Sequence, residues 1–267
     1  MSDILEELTA ARRHDATARE AEIPFAEMMR RAEATPAPRD FARAFQTVAR
    51  DARPYQVRVI AELKKASPSE GMIRENFHPV ELARELEAAG AAALSVLCEP
   101  HRFLGNEEYL RAVRAVVDVP ILYKDFLSTR YQIAAARAAG ADVVLLIAAV
   151  LDDAALKDLL DFAHGLGLAA LVETHNEEEI DRAVQAGARI VGVNCRNLRN
   201  FSTDVSLLES LVGRIPRPCL RIAESGMHTA EAIRRAQVAG ADGFLVGTAL
   251  MRAERPGEKL QELLTNH

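Results

Sequence analysis

Charged side chains interrupt several apolar runs of this sequence at positions where they could carry acid–base chemistry. In PILYKDF, Lys124 follows three apolar residues, and in AELKK, Glu62 and Lys64 stand two residues apart. Lysine is rarely buried unless it is paired or used in a reaction. Residues two apart on a strand share a face, so Glu62 and Lys64 are predicted to point to the same side. Amines and carboxylates of this kind donate and accept protons in general acid–base catalysis.

Three further apolar runs end in the same way. ALVETH contains Glu173, VGVNCR contains Asn194 and Arg196 on one face with Cys195 on the other, and RIAES ends with Glu224. Burying lysines and glutamates together is costly unless they pair and form hydrogen bonds in a shared pocket. Burial and mutual charge also shift proton affinities, which is typical of active sites. We therefore predict one active site built from the ends of several strands.

The apolar runs that carry these residues are predicted to be parallel strands. They are short, rich in Val, Ile and Leu, and often continuous, which is typical of strands covered on both faces. The predicted strands are residues 57–64, 92–98, 120–125, 142–149, 168–174, 189–195, 219–224 and 243–247. Amphipathic helical segments fill the gaps, and Ala-Gly-Ala recurs at their ends about every 50 residues, the length of two strand–helix units.

Strict alternation of strands and helices predicts an α/β protein that is a single (β/α)8 TIM barrel. An open doubly wound sheet is the alternative, but no G-x-G-x-x-G follows the first strand. Residues 1–50 stand outside the alternation, and their helical spacing with dense mixed charge predicts an N-terminal helical extension that packs on the barrel. A solvated leader helix fits that pattern equally well. Residues 51–267 are predicted to form the catalytic barrel domain.

Small residues follow the last two predicted strands. ESG contains Ser225 and Gly226, and VGT contains Gly247 and Thr248. Backbone N–H groups can approach an anion closely at such positions, and the loops after strands 7 and 8 are the usual phosphate site of a barrel. Either dipeptide alone is also ordinary turn chemistry. Their occurrence after consecutive strands favours a phosphate site.

Charge and composition exclude several classes of function. The formal net charge of −6 gives no long-range attraction to nucleic acid or to an anionic membrane. The apolar runs are far shorter than the roughly 20 residues of a membrane helix, and the N-terminus MSDILEELTAARR mixes both charges where a signal peptide has an apolar segment. We expect a cytoplasmic enzyme that binds neither nucleic acid nor membranes.

Metal-ligand patterns are not apparent in the sequence. Cys98, Cys195 and Cys219 are odd in number and lack C-x-x-C spacing, which indicates plain thiols. His175 lies two residues beyond Glu173 without further metal-ligand spacing, and the acidic run NEEEID is typical of the exposed first turn of a helix. No metal site is predicted.

Six motifs resemble the indole-3-glycerol phosphate synthase family, in order and at familiar spacing. They are AELKKASPSEG, PILYKDF, LVETHNEEE, GVNCRNL, AESG and FLVGTALM, and the similarity runs from about residue 20 to the end. The resemblance implies a carboxy-lyase of tryptophan biosynthesis, without a metal or organic cofactor. Its substrate would be 1-(2-carboxyphenylamino)-1-deoxyribulose 5-phosphate, which undergoes ring closure, decarboxylation and dehydration to indole-3-glycerol phosphate.

The resemblance also implies roles for individual residues. Lys124 would be the general acid of ring closure, and Lys64 and Glu173 would share the acid and base roles of dehydration, in either order. Groups that orient hydroxyls and lysines would be Glu62, Asn194 and Glu224, and Arg196 would favour the anionic groups of the substrate. The anthranilate ring would be walled by Phe103, Phe126, Leu145, Ile147 and Leu198. The phosphate would be held by Lys64, Ser67, Ser225, Gly226, Gly247 and Thr248.

Two positions depart from the family pattern. Thr248 stands where serine is common, and Glu70 stands where a basic residue is frequent. Because Glu70 is negatively charged, we expect its loop to attract the phosphate less than a basic residue there would. The oligomeric expectation is a monomer or a weak homo-oligomer, which could contact other enzymes of the tryptophan pathway.

Two alternative functions remain open from the sequence. Another phosphosugar barrel, such as phosphoribosylanthranilate isomerase, would share the phosphate loops but use a Cys and Asp pair. A non-catalytic barrel subunit would have lost at least one of Lys64, Lys124 and Glu173, and all three are present.

Overall fold

A closed barrel of parallel strands forms the body of the molecule. The computed structural model describes residues 4–45, 57–195 and 205–265, without the side chains of residues 205 and 206. In the order of the chain the barrel strands are β1 (Val59–Leu63), β2 (Ala93–Leu97), β3 (Ile121–Lys124), β4 (Val143–Ile147), β5 (Ala169–Thr174), β6 (Ile190–Val193), β7 (Leu220–Ala223) and β8 (Gly243–Val246). Each strand pairs with the next one along the chain, and β8 closes the barrel by pairing Phe244 with Val59. The predicted TIM barrel is confirmed.

Helices surround the barrel and precede it. They are α1 (Ile4–Glu22), α2 (Phe25–Ala34), α3 (Phe41–Phe45), α4 (Pro79–Ala88), α5 (Glu107–Arg114), α6 (Arg130–Ala138), α7 (Asp153–Gly165), α8 (Glu177–Ala186), α9 (Val205–Val212), α10 (Ala230–Val238), α11 (Thr248–Arg252) and α12 (Pro256–Thr265). The chain also forms a short 3-10 turn (Ala148–Val150) and, after β1, a small hairpin (Ala66–Ser67 with Gly71–Met72).

Local sequence signals fix the ends of these helices. The cap residues Asn176 and Thr229 each accept a backbone N–H bond from the first turn that follows. The glycine of each Ala-Gly-Ala repeat has a positive φ, for example 93° at Gly140 and 96° at Gly187. Glycine adopts this left-handed conformation without the steric cost of a Cβ atom, so each repeat ends its helix and turns the chain toward the next strand.

The N-terminal extension covers both ends of the barrel interior. From α3, the rings of Phe41 and Phe45 pack 4.7 Å apart, and Phe45 lies where a Cβ on Gly243, the first residue of β8, would stand. At the other end, Leu5 of α1 lies in the same apolar cluster as Phe126 and Ile147, which follow or end β3 and β4. The extension therefore closes the barrel below and shapes its upper opening.

Ion pairs attach α1 to the barrel wall. The guanidinium of Arg12 donates to both carboxylate oxygens of Asp125 at 2.8–3.1 Å, and Arg19 binds Glu107 through two hydrogen bonds of 2.8 and 3.0 Å. The predicted domain boundary between residues 50 and 51 lies outside the described residues. Within the described part of the chain, every helix is too short or too polar to cross a membrane.

Candidate active site

An open cavity of about 860 Å³ lies at the carboxyl ends of the barrel strands. This is the end at which catalytic residues collect in TIM barrels. Most of the predicted site residues line it: Glu62, Lys64, Phe103, Lys124, Phe126, Leu145, Ile147, Glu173, Asn194, Glu224, Ser225, Gly226, Gly247 and Thr248. The structure therefore brings together side chains from all strands whose ends were predicted to be polar.

Lys124 is held between two carboxylates, one from β5 and one that follows β7. Its Nζ donates to Glu173 Oε2 at 2.8 Å and to Glu224 Oε2 at 3.3 Å. The side chains of both glutamates are nearly inaccessible to solvent, whereas Lys124 keeps a little exposure toward the cavity. The ammonium group is thus paired, and its remaining surface faces the space that a ligand would occupy.

The two glutamates have opposite pKa shifts. Burial favours the protonated form of both, but the positive charges of Lys124 and His175 outweigh it at Glu173 and hold its pKa well below the ordinary value. Burial and the neighbouring negative charge of Glu173 raise the pKa of Glu224 to about 8. Burial opposes the charged form of Lys124 as well, yet the carboxylates of Glu173, Glu224 and Glu62 raise its pKa above the ordinary value. Near neutral pH, one carboxylate is therefore a base and the other a neutral acid.

A hydrogen-bonded chain continues from Glu173 toward the next two strands. Asn194 donates from Nδ2 to Glu173 Oε1 at 3.0 Å, and Ser225 donates from Oγ to Asn194 Oδ1 at 2.6 Å. The amide of Asn194 is thereby fixed, with its nitrogen toward the carboxylate and its oxygen toward the hydroxyl. This chain links the acid–base cluster to the small residues that follow β7.

Lys64 and Glu62 form a second ion pair on the same wall. Lys64 Nζ lies 2.8 Å from Glu62 Oε2, and both side chains are largely buried. Gly247, at the end of the neighbouring β8, leaves room for the pair, because a Cβ atom there would lie 2.1 Å from Glu62 Oε2. The sequence prediction that Glu62 and Lys64 share a face is confirmed.

An apolar wall of the cavity is formed by side chains that follow β2 and β3 and that lie on β4. The rings of Phe103 and Phe126 lie 6.1 Å apart, and Leu145 and Ile147 continue the surface along β4. The loop that carries Phe103 is fixed by buried Glu99, whose carboxylate accepts backbone N–H bonds from residues 101, 102 and 103 at 2.7–2.8 Å. A flat apolar ring would fit against this wall with its polar substituents toward the lysines.

The proposed phosphate residues are only partly assembled around the cavity. Ser225, Gly226, Gly247 and Thr248 line it, next to Lys64. Ser67 does not line it; its buried hydroxyl lies 3.4 Å from Ser69 Oγ in the hairpin after β1. The predicted residues Arg196 and Leu198 lie outside the described residues.

Comparison with known proteins identifies the family. A family model described as indole-3-glycerol phosphate synthase matches residues 5–263. The chain belongs to the indole-3-glycerol phosphate synthase family. Two similar members come from Campylobacter jejuni subsp. doylei (44% identity, covering 98% of this chain and 100% of that protein) and Micrococcus luteus (46% identity, covering 97% and 96%).

More distant structures share only the fold with this family member. Thiamine phosphate pyrophosphorylase from Pyrococcus furiosus superposes with a TM-score of 0.58 at 19% identity, covering 78% of this chain and 93% of that one. At this identity the likeness carries no information about the reaction.

Several residues at the site of this family member were missed by sequence reasoning. Leu5 lines the cavity from α1, and Met227 and His228 line it beyond β7. Gly192 of β6 leaves room for Glu224, since a Cβ atom there would lie 2.0 Å from Glu224 Oε1. A glycine inside an apolar strand often marks a close approach, and that signal could have found Gly192.

The described side chains include no cluster of metal ligands. Among residues 4–45, 57–195 and 205–265, no group of three or more His, Cys, Asp or Glu side chains is arranged to hold a metal ion. The charged side chains of the cavity instead form the lysine–carboxylate pairs described above.

Proposed function

We propose that this chain converts 1-(2-carboxyphenylamino)-1-deoxyribulose 5-phosphate to indole-3-glycerol phosphate by the acid–base chemistry of its lysines and glutamates. The observation that carries the proposal is the ammonium group of Lys124, which is held between Glu173 and Glu224 and faces a cavity with an apolar wall. Family membership supplies the reaction, and the geometry supports the assignment of groups to its steps.

Ring closure is assigned to Lys124. As an aromatic carbon of the anthranilate ring attacks the ketone carbon, the carbonyl oxygen gains negative charge and needs a proton. Lys124 Nζ donates that proton, and carbon dioxide then leaves as the electrons of its bond return to the ring. The apolar wall excludes water from the departing carboxylate, which favours decarboxylation. A positioned general acid typically contributes about 10²–10⁴-fold to the rate.

Dehydration is assigned to Lys64 and Glu173. Lys64 carries an ammonium group beside Glu62 and supplies the proton to the departing hydroxyl. Glu173, whose pKa is held low by Lys124 and His175 against its burial, accepts a proton from the ring system. Asn194 and Glu224 contact or flank this carboxylate and the Lys124 ammonium, and we assign them to orienting these groups and the substrate hydroxyls.

Phosphate binding is assigned to the loops after β7 and β8. Ser225, Gly226, Gly247 and Thr248 line one side of the cavity, where small side chains expose backbone N–H groups, and Lys64 adds positive charge. Ser67 would join them by movement of the hairpin after β1. The assignments of Arg196 to anionic groups and of Leu198 to the ring wall stay predictions. Glu70 is paired with Arg252 of α11, so its charge is partly neutralised near this end of the barrel.

The cellular setting belongs to the same proposal. Membership of a family of biosynthetic enzymes and a net charge of −6 support a cytoplasmic enzyme. We expect a monomer or a weak homo-oligomer, with contacts to other tryptophan-pathway enzymes limited to transient ones. Sedimentation of the purified protein over a range of concentrations would measure its oligomeric state.

The competing isomerase activity finds no support in the cavity. It would require a cysteine as one half of a Cys and Asp acid–base pair, but Cys98, Cys195 and Cys219 are all described and none of them lines the cavity. Cys195 points away from it and donates to the carbonyl oxygen of Ser225.

The proposal is tested by an assay of the purified protein in excess EDTA. The carboxyphenylamino substrate should give indole fluorescence and one equivalent of carbon dioxide, and phosphoribosylanthranilate should give no product. Turnover of phosphoribosylanthranilate alone would favour the isomerase. Turnover of the first substrate that disappears in EDTA and returns with one divalent ion would contradict a purely acid–base site.

A further inference from the structure

His175 is a buried titratable group to which the reaction scheme gives no task. It follows β5, two residues after Glu173, and does not line the cavity. Its Nε2 atom is inaccessible to solvent and lies 3.5 Å from Glu173 Oε1, too far for a well-formed hydrogen bond. Within the described part of the chain, Nε2 has no closer hydrogen-bond partner. A buried N–H group left in this state is costly, typically by about 1–3 kcal/mol.

The first turn of α8 determines where this imidazole points. Asn176 caps the helix by accepting from Glu179 N at 2.9 Å, and its Nδ2 donates to Glu179 Oε1 at 2.7 Å. The other carboxylate oxygen of Glu179 accepts from His175 N at 2.8 Å and lies 3.1 Å from His175 Nδ1. This differs from a capping box, in which the glutamate accepts from the backbone N–H of the cap residue. Here Glu179 accepts from the backbone N–H of His175, the residue before the cap, and also contacts its imidazole. With Nδ1 held by Glu179, Nε2 must face Glu173.

The charges around His175 favour the imidazolium form. Burial opposes protonation, but Glu173 of β5 and Glu179 of α8 outweigh it and raise the pKa of His175 to about 10. Glu173 itself is also faced by Lys124 of β3, by Asn194, which follows β6, and by Glu224, which follows β7. His175 therefore supplies a second positive charge to Glu173, at its Oε1 oxygen and from a position that does not line the cavity.

We infer that His175 is a positioning residue that holds Glu173 ionised from the side of its Oε1 oxygen, leaving Oε2 for Lys124. The inference rests on the proposed role of Glu173 as a base. When Lys124 gives its proton to the substrate, it loses the charge that stabilises the Glu173 carboxylate. The imidazolium of His175 keeps that carboxylate charged through this step, so Glu173 is ready as a base for dehydration.

The test is a set of pH–rate profiles for His175→Gln and His175→Ala, measured from about pH 3 to pH 9 with folding checked at each pH. Gln keeps an N–H donor near the position of Nε2 but carries no charge, and Ala removes both. Loss of the cation should raise the pKa of Glu173, so the acidic limb of kcat should move up by about one unit or more, further for Ala than for Gln. KM at pH 8 should change less than about twofold, since His175 does not line the cavity.

Two controls separate this idea from a structural role. Glu178→Gln removes a charge from the same exposed turn of α8 without touching His175, and its profile should match the wild type. Glu179→Gln keeps an acceptor for the cap but removes the charge that grips Nδ1, and should shift the acidic limb in the same direction as His175→Gln. Unfolding midpoints of all variants would be measured at pH 8 to establish that they are folded.

The outcomes distinguish this inference from the proposed function. If Glu173→Gln retains wild-type kcat, Glu173 is not the base and the proposed function itself is wrong in this respect. If Glu173→Gln is inactive while both His175 variants follow the wild-type profile, the positioning role alone is overturned.

Discussion

At the residue scale, Glu173 and Glu224 contact the same lysine and yet carry different charges near neutral pH. The difference arises from their other neighbours: Glu173 has Asn194 and His175 at its second oxygen, whereas Glu224 Oε1 has no hydrogen-bond partner among the described residues. Two carboxylates at one cation cannot both be ionised cheaply, so the less supported one keeps its proton. This division gives the cavity a base and a neutral acid from one residue type.

The protonation of Glu224 predicts a pH-dependent stability. Its folded pKa of about 8 exceeds the ordinary value of 4.5, so the stability it contributes is complete below pH 4.5 and is lost as the pH rises through 8. Glu224→Gln mimics the neutral carboxyl group and lacks this loss. In urea unfolding at pH 6 and pH 9, the stability of Glu224→Gln relative to wild type should increase with pH, by at most about 1.4 kcal/mol per unit between 4.5 and 8. A difference that is the same at both pH values would show that Glu224 is ionised throughout.

Gly247 supports a second prediction at this scale. A Cβ atom on Gly247 would lie 2.1 Å from Glu62 Oε2 and 3.1 Å from Lys64 Nζ, so the glycine leaves space for this ion pair. Gly247→Val should therefore displace the ion pair and obstruct the phosphate loop, raising KM at least about tenfold and lowering kcat as well. Gly165→Val is a matched control, because a Cβ on that exposed glycine meets nothing within 4 Å. A Gly247→Val protein with wild-type KM, or a wild-type protein that binds the dephosphorylated substrate as tightly as the natural one, would contradict the assignment.

At the scale of elements, α1 is tied to the strand that carries the catalytic lysine. Arg12 binds Asp125, which is fully buried and stands between Lys124 and Phe126. The same helix places Leu5 in the wall of the cavity. A shift of α1 would therefore disturb both the apolar wall and the end of β3.

The Arg12–Asp125 pair can be tested by removing one partner. Arg12→Ala leaves a buried carboxylate without its cation, and breaking a pair of this kind typically costs about 3 kcal/mol or more. We expect that loss in urea unfolding at pH 7, together with a raised KM because Leu5 and Phe126 lose their fixed positions. Arg13→Ala removes the adjacent exposed arginine, whose only described side-chain bond is a 3.3 Å contact with Ser128, and should cost less than about 0.5 kcal/mol. Equal effects of the two substitutions would argue against a specific role for the pair.

At the scale of the whole molecule, the barrel and most of its site could be predicted because their signals are local and periodic. Apolar runs, Ala-Gly-Ala repeats and polar strand ends such as Lys124 recur along the chain at barrel spacing. Leu5 and His175 could not be assigned in this way, and for Gly192 the sequence indicates a close approach without naming Glu224 as its partner. Their roles depend on which side chain lies across the barrel or at the next helix, and that information appears only when distant strands are brought together. The sequence predicts that Glu179, in NEEEID, lies in the first turn of a helix, but that pattern does not show the contact of His175 with Glu173.

The central claim is that the paired ammonium group of Lys124 drives ring closure, and the turnover number of Lys124→Ala tests it most directly. Removing the ammonium group leaves the buried Glu173 carboxylate without one of its cations, so the variant should lose stability, typically by about 3 kcal/mol or more. Its folded form should bind substrate with little change through the phosphate loops and the apolar wall. Its kcat should fall by roughly 10³-fold or more, and Lys124→Arg should not restore it, since guanidinium releases a proton far less readily. A folded Lys124→Ala protein with near-wild-type kcat would contradict the account and would point to Lys64 as the group that protonates the carbonyl.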